Sequence, residues 1–140
     1  MTEVNEVCCA GPGYASPSDA INAPREKIVY TICIYTGTDV KKPDYLATID
    51  VDEDSLNYNK VIHRTELGSG GDELHHMGWN ACSSCNTDGS MQRKYLVIPG
   101  VITSNFYIVD TATNPSAPVL YKTISGDEIK KKTNLSTPHT

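Results

Sequence analysis

The chain has 140 residues, near the roughly 150 that make one domain, and is long enough to bury one core. Its net charge of −5 offers no basic field to phosphate backbones or anionic lipid heads, which argues against nucleic acid as a partner. No stretch reaches the roughly 18 uncharged apolar residues of a membrane span, and MTEVNEVCCA has neither a basic start nor an apolar h-region, so a cytosolic protein is expected.

Ten glycines, eight prolines and eight tyrosines suit many turns between short, half-exposed strands. Residues 1–26 contain Gly11, Pro12, Gly13, Pro17 and Pro24 with no sustained apolar period, and read as an irregular arm with no helix of any length. From Lys27 the run KIVYTICIY is β-branched and aromatic, bounded by Pro24 and Gly37, and predicts a largely buried strand that includes Cys33. Tyr45 to Val51 and Lys60 to Arg64 predict a hairpin around the Asp-rich loop DEDSLNYN. Arg93 to Pro99, Asn105 to Asp110 and Val119 to Ile124 predict three further strands, separated by ITS and by TATNPSAP. In the tail, Ser125 or Asp127 can cap a short turn through DEIKKKT.

Two of these stretches resemble each other. Ala47-Thr48-Ile49-Asp50 aligns with Tyr107-Ile108-Val109-Asp110 at an offset of 110 − 50 = 60, and each leads through an Asn-containing loop into a β-branched strand. A compact four-stranded propeller blade repeats at roughly 40 to 45 residues, so the excess implies an insertion between Gly68 and Gln92. The reading is mainly β, with about two propeller-like blade units over 27–140 after the arm of 1–26.

The inserted segment GGDELHHMGWNACSSC gathers two of four histidines, two of five cysteines and the only tryptophan. Imidazole nitrogen and thiolate sulfur suit zinc and both copper oxidation states. His75 and His76 could ligate a metal, form structural hydrogen bonds or transfer protons, but on extended backbone they face opposite ways, so both reach one ion only if the loop bends. Cys82 and Cys85 have the spacing of a metal knuckle or redox pair without the second pair of a structural zinc site, and could also be inert. Cys8 and Cys9 form a vicinal pair suited to a soft thiophilic species. Cys33 reads as a small core residue and His63 as a sheet histidine.

GPGYASP, KPDYLATIDVD, VIHR, DELHHMGWNACSSC, NPSAPVLYK and the final PHT together resemble the N-terminal part of the selenium-binding protein family, whose members include methanethiol oxidases. The resemblance implies a propeller-like fold truncated here at its C-terminus, and a cytosolic location, with nuclear or peripheral membrane association as further locations. It implies selenium held through cysteine and, in oxidase members, conversion of methanethiol to formaldehyde, hydrogen sulfide and hydrogen peroxide with copper. Carried onto this chain, it makes His75, His76 and His139 metal ligands, Cys82 and Cys85 the thiols beside the site, and Cys8 and Cys9 the selenium or heavy-metal binders. The alternatives are selenium or soft-metal sequestration without turnover, and a short isoform with no activity of its own.

Overall fold

Runs of β-branched and aromatic residues, broken by polar turns, become seven strands in the computed structural model, which describes residues 11–135. Among these residues the chain divides into two units, one taking in 11–25 with Asn80–Arg93, the other Glu26–Trp79 with 94–135.

The larger unit holds two antiparallel sheets. One is a meander of β1 (Ile28–Cys33), β2 (Tyr45–Asp50) and β3 (Val61–Glu66). The other is ordered β4 (Gly78–Trp79), β5 (Tyr95–Pro99), β6 (Phe106–Asp110) and β7 (Val119–Ile124), followed by the helix α2 (Gly126–Thr133). All six strands expected from sequence form. The two-residue β4 carries too short an apolar pattern to be foreseen.

The internal repeat extends to irregularities of pairing. Register slips between Thr48 and Ile49 where β2 meets β3, and between Ile108 and Val109 where β6 meets β7. These are aligned positions. Asp50 and Asp110, which end the aligned strands, do the same work: Asp50 accepts from the Asp52 N–H at 2.9 Å and the Ser55 hydroxyl at 2.6 Å, Asp110 from the Ala112 N–H at 2.9 Å and the Thr113 hydroxyl at 2.7 Å. A side chain that bonds to backbone two residues ahead turns the chain without glycine. The Val51 N–H donates to the Lys27 carbonyl and the Thr111 N–H to the Lys94 carbonyl, each at 3.0 Å, so both units close alike.

Buried Leu96 and Ile98 on β5, and Tyr107 and Val109 on β6, follow the two-residue period and point to one face. They join Leu46, Leu67 and Leu74 in one core, with Tyr30 and Ile32 packed against it. Cys33 is only partly buried at the end of β1, less enclosed than its apolar surroundings in the sequence suggest. Between the sheets the Tyr30 hydroxyl donates to the Pro115 carbonyl at 2.6 Å and the Thr65 hydroxyl to the Pro118 carbonyl at 2.7 Å.

Two buried carboxylates organise the link between the sheets. Asp72 accepts from the Glu73, Ile102 and Thr103 N–H groups at 2.9, 3.2 and 3.1 Å, the Thr103 hydroxyl at 2.6 Å and the Tyr107 hydroxyl at 2.8 Å. Asp44 accepts from the Tyr35 N–H at 2.8 Å and the Leu74 N–H at 3.1 Å. A methyl group on Gly100 would lie 2.1 Å from an Asp72 oxygen, so only glycine lets the carboxylate come this close.

In the smaller unit the arm contains α1 (Pro17–Asn22), where the sequence suggested no helix. Its start is local chemistry: Ser16 caps the Asp19 N–H at 3.2 Å, and Pro17 sits in the first turn, where its missing N–H costs nothing. Six residues are too few to show an apolar period.

Burial pushes the Asp72 carboxyl up, but the Thr103 and Tyr107 hydroxyls and the Thr103 and Glu73 amides outweigh it and hold it below the ordinary carboxylate value. A carboxyl lower in the folded than in the unfolded state stabilises the fold above its unfolded value, and this is lost as pH falls through the folded one. Asp72→Ala should therefore cost about 3 kcal/mol at neutral pH, by leaving buried donors unpaired. Urea unfolding should show this difference shrinking as pH drops below about 4. A difference that stays constant with pH would show that the Asp72 charge contributes nothing.

Candidate functional site

The histidine pair lies in the larger unit and is anchored on both sides. Before it, Leu74 is buried, bridges to Gly100 and donates its N–H to Asp44. After it, Gly78 and Trp79 pair with Val97 and Leu96, and the Trp79 ring meets Tyr30 edge-on with centroids 6.3 Å apart. Between these anchors His75, His76 and Met77 are exposed. The two imidazole centroids are 4.4 Å apart with planes at 81°, so the backbone departs from strict alternation and brings the rings together. His75 Nδ1 lies 3.7 Å from a Glu73 carboxylate oxygen, too far for a direct hydrogen bond.

The rings fit a copper site as two donors, imidazole being a good ligand for that metal. Among the described residues no third His, Cys, Asp or Glu joins them in a group that could hold an ion. His139 lies outside the described residues, as do Cys8 and Cys9. His63 stands in β3 in register with Thr48, a sheet position as expected.

The cysteine pair lies in the smaller unit. Cys82 precedes a 3-10 turn, Ser83–Cys85, and its sulfur is exposed, 2.6 Å from the Ser84 hydroxyl and 4.0 Å from Cys85 Sγ. Both thiols are free. The Ser84 hydroxyl, then the Ser84 backbone N–H and then the Cys85 thiol stabilise the Cys82 thiolate and bring its pKa below the ordinary thiol value. Cys82 therefore combines exposure with a lowered pKa, the direction that favours nucleophilic and soft-metal chemistry.

Two supports of this turn escape a reading by residue type. Gly11 is buried against it, and a methyl group there would lie 2.2 Å from the Cys85 carbonyl and 2.7 Å from that of Asp88. The Gly-Pro-Gly of the arm is thus the seat of the Cys82–Cys85 turn. Arg93 donates through Nη2 to the Ser83 hydroxyl at 2.7 Å. The proximity of GPG to CSSC in the fold has no signal in the spacing, because the whole of Glu26–Trp79, which belongs to the other unit, lies between them. Arg93 resembles any strand-flanking cation.

Residues 8–140 match the model of the 56-kDa selenium-binding protein family. The chain is 54% identical over 134 residues to selenium-binding protein 2 of Arabidopsis thaliana, covering 95% of this chain and 28% of that one. It is 52% identical over 130 residues to methanethiol oxidase of Danio rerio, covering 93% and 28% respectively. The crystal structure of a hypothetical selenium-binding protein from Sulfolobus tokodaii superposes with a TM-score of 0.83 at 42% identity, over 91% of this chain and 29% of that one. The chain thus spans about 28% of the length of the curated relatives it matches. Its two antiparallel sheets, its DELHHMGWNACSSC segment and these likenesses agree: the chain belongs to the selenium-binding protein family.

Proposed function

We propose that the protein carrying this chain oxidises methanethiol with dioxygen and water to formaldehyde, hydrogen sulfide and hydrogen peroxide. The observation that carries this reading is the meeting of the His75 and His76 rings, in a chain whose relatives include proteins named methanethiol oxidase. His75, His76 and His139 are assigned as copper ligands. Copper bound there supplies the one-electron exchange that dioxygen requires and that side chains lack. Asp44, through Leu74, and Trp79, through Tyr30, hold the pair in place from either side. Cys82 and Cys85 are assigned to the handling of sulfur, with the Ser84 hydroxyl lowering the Cys82 pKa.

A second reading rests on a different observation. An exposed, acidified thiol 4.0 Å from another is suited to capturing selenium or a soft metal ion without turnover, and the vicinal Cys8 and Cys9 would serve the same chemistry. Five cysteines, those described being free, suit the reducing cytosol. Among the described residues no helix is long and apolar enough to cross a membrane. The recurring meanders, with their shared register slips and Asp turns, support blade units of a propeller.

Methanethiol added to the copper-loaded protein should release hydrogen peroxide, and His75→Ala or His76→Ala should lower that rate about a hundredfold while leaving the fold intact. Stoichiometric selenite uptake with no peroxide would favour sequestration, and undiminished turnover in both variants would remove the histidines from the chemistry.

Cys82 should react with a thiol reagent at neutral pH at least about tenfold faster than the partly buried Cys33. Ser84→Ala removes the largest stabiliser of the thiolate, so it should raise the Cys82 pKa and slow its labelling, read by mass spectrometry of the alkylated peptides. Equal rates at Cys82 and Cys33, before and after the substitution, would contradict the assignment.

A further inference from the structure

A carboxylate stands beside the histidine pair, and the backbone puts it there. Glu73 precedes His75 by two residues, and Leu74 between them is buried and bridged to Gly100. Backbone in such a bridge is extended, so the residues on either side of Leu74 share one face. Both main-chain groups of Glu73 are engaged: its N–H donates to Asp72 at 2.9 Å, and its carbonyl accepts from the Val101 N–H at 2.8 Å. The side chain is thereby aimed at one particular ring atom, Glu73 Oε1 lying 3.7 Å from His75 Nδ1. This is ion-pair range, longer than a hydrogen bond, and rotation about the Glu73 side-chain bonds covers the difference. Among the described residues no other donor claims this carboxylate.

A pair this open to solvent, with the His75 and Glu73 side chains 47% and 26% exposed, contributes little to stability. Its consequence for the ring is larger. A neutral imidazole carries one proton, and only the nitrogen without it has a lone pair to give a metal. A carboxylate at Nδ1 keeps the proton on that atom, leaves the lone pair on Nε2, and makes the ring a stronger donor. Without such a partner both tautomers remain open to the ring, and part of the population presents the wrong atom.

We infer that Glu73 is the positioning residue of His75: it accepts the Nδ1 proton and so selects Nε2 as the atom that meets copper. This rests on the assignment of His75 as a copper ligand. Glu73 itself does not touch the metal.

The test uses the full-length protein carrying this chain, labelled with [15N]histidine and held at about pH 8, where imidazole is neutral. In the copper-free wild type the His75 proton is expected on Nδ1. Glu73→Ala should shift it toward Nε2, whereas Glu73→Gln, whose amide carbonyl still accepts, should keep it on Nδ1. The melting temperature should stay the same, since the main-chain bonds of Glu73 remain. Copper(II) affinity, measured by competition with a chelator, should fall about tenfold or more in Glu73→Ala and less than that in Glu73→Gln. The spin-echo modulation from the remote nitrogen of His75 should change in the alanine variant. A His75 proton on Nε2 in the wild type overturns the inference, and so does a tautomer or a copper affinity that Glu73→Ala leaves unchanged. Copper that fails to bind the wild type overturns the copper assignment and with it the role of Glu73. Copper bound equally by wild type and Glu73→Ala overturns the role of Glu73 alone.

Discussion

The placement of the histidine pair depends on a buried carboxylate, Asp72, that collects five donors from its own segment, the β5–β6 connection and Tyr107 of β6. A carboxylate taken out of water is stable only when its lone pairs are filled, and here the filling ties the 72–73 segment to the β5–β6 connection and to β6. Burial, followed by smaller effects that include the Asp72 charge, raises the Tyr107 phenol above its ordinary value, so it remains protonated and donates to Asp72. Asp44 adds the second fastening at Leu74, one residue before His75. The exposed imidazoles thus extend from backbone that these hydrogen bonds hold in place. That is the condition a metal ligand pair needs, because loosely held donors lose affinity to the entropy of ordering them.

Much of the fold was legible because β-structure leaves its period in sequence. The alternation in Tyr95–Pro99 and Phe106–Asp110 marks the buried face directly, and the offset between Asp50 and Asp110 predicts a repeat that the structure extends to matching register slips. What could not be read are features whose signal is a partner distant in sequence. Asp72 and Asp44 look like any loop carboxylates until their donors are placed around them. Gly11 looks like a flexible linker residue, yet its missing side chain is what the Cys85 carbonyl requires. The helix α1 was missed for a different reason: it is specified by Ser16 and Pro17 at one end and by no apolar stripe.

The candidate chemistry was legible by residue type and less so by geometry. An extended backbone would separate His75 and His76, and only the fold shows their rings in contact. Likewise the Cys82–Cys85 spacing is compatible with inert thiols, whereas the Ser84 hydroxyl at 2.6 Å gives one of them a reason to ionise. Each group is built within its own unit from neighbours no more than a few residues away. The supports that hold each of them, Asp44 for the histidines and Gly11 for the cysteines, come from far along the chain.

The central claim, that the adjoining imidazoles of His75 and His76 are metal donors, is tested most directly by electron paramagnetic resonance of the copper(II)-loaded protein. The account predicts nitrogen couplings from more than one imidazole, reduced by one in His75→Ala and again by one in His76→Ala, and a loss of bound copper when both are replaced. A spectrum and a copper content unchanged in the double substitution would contradict it.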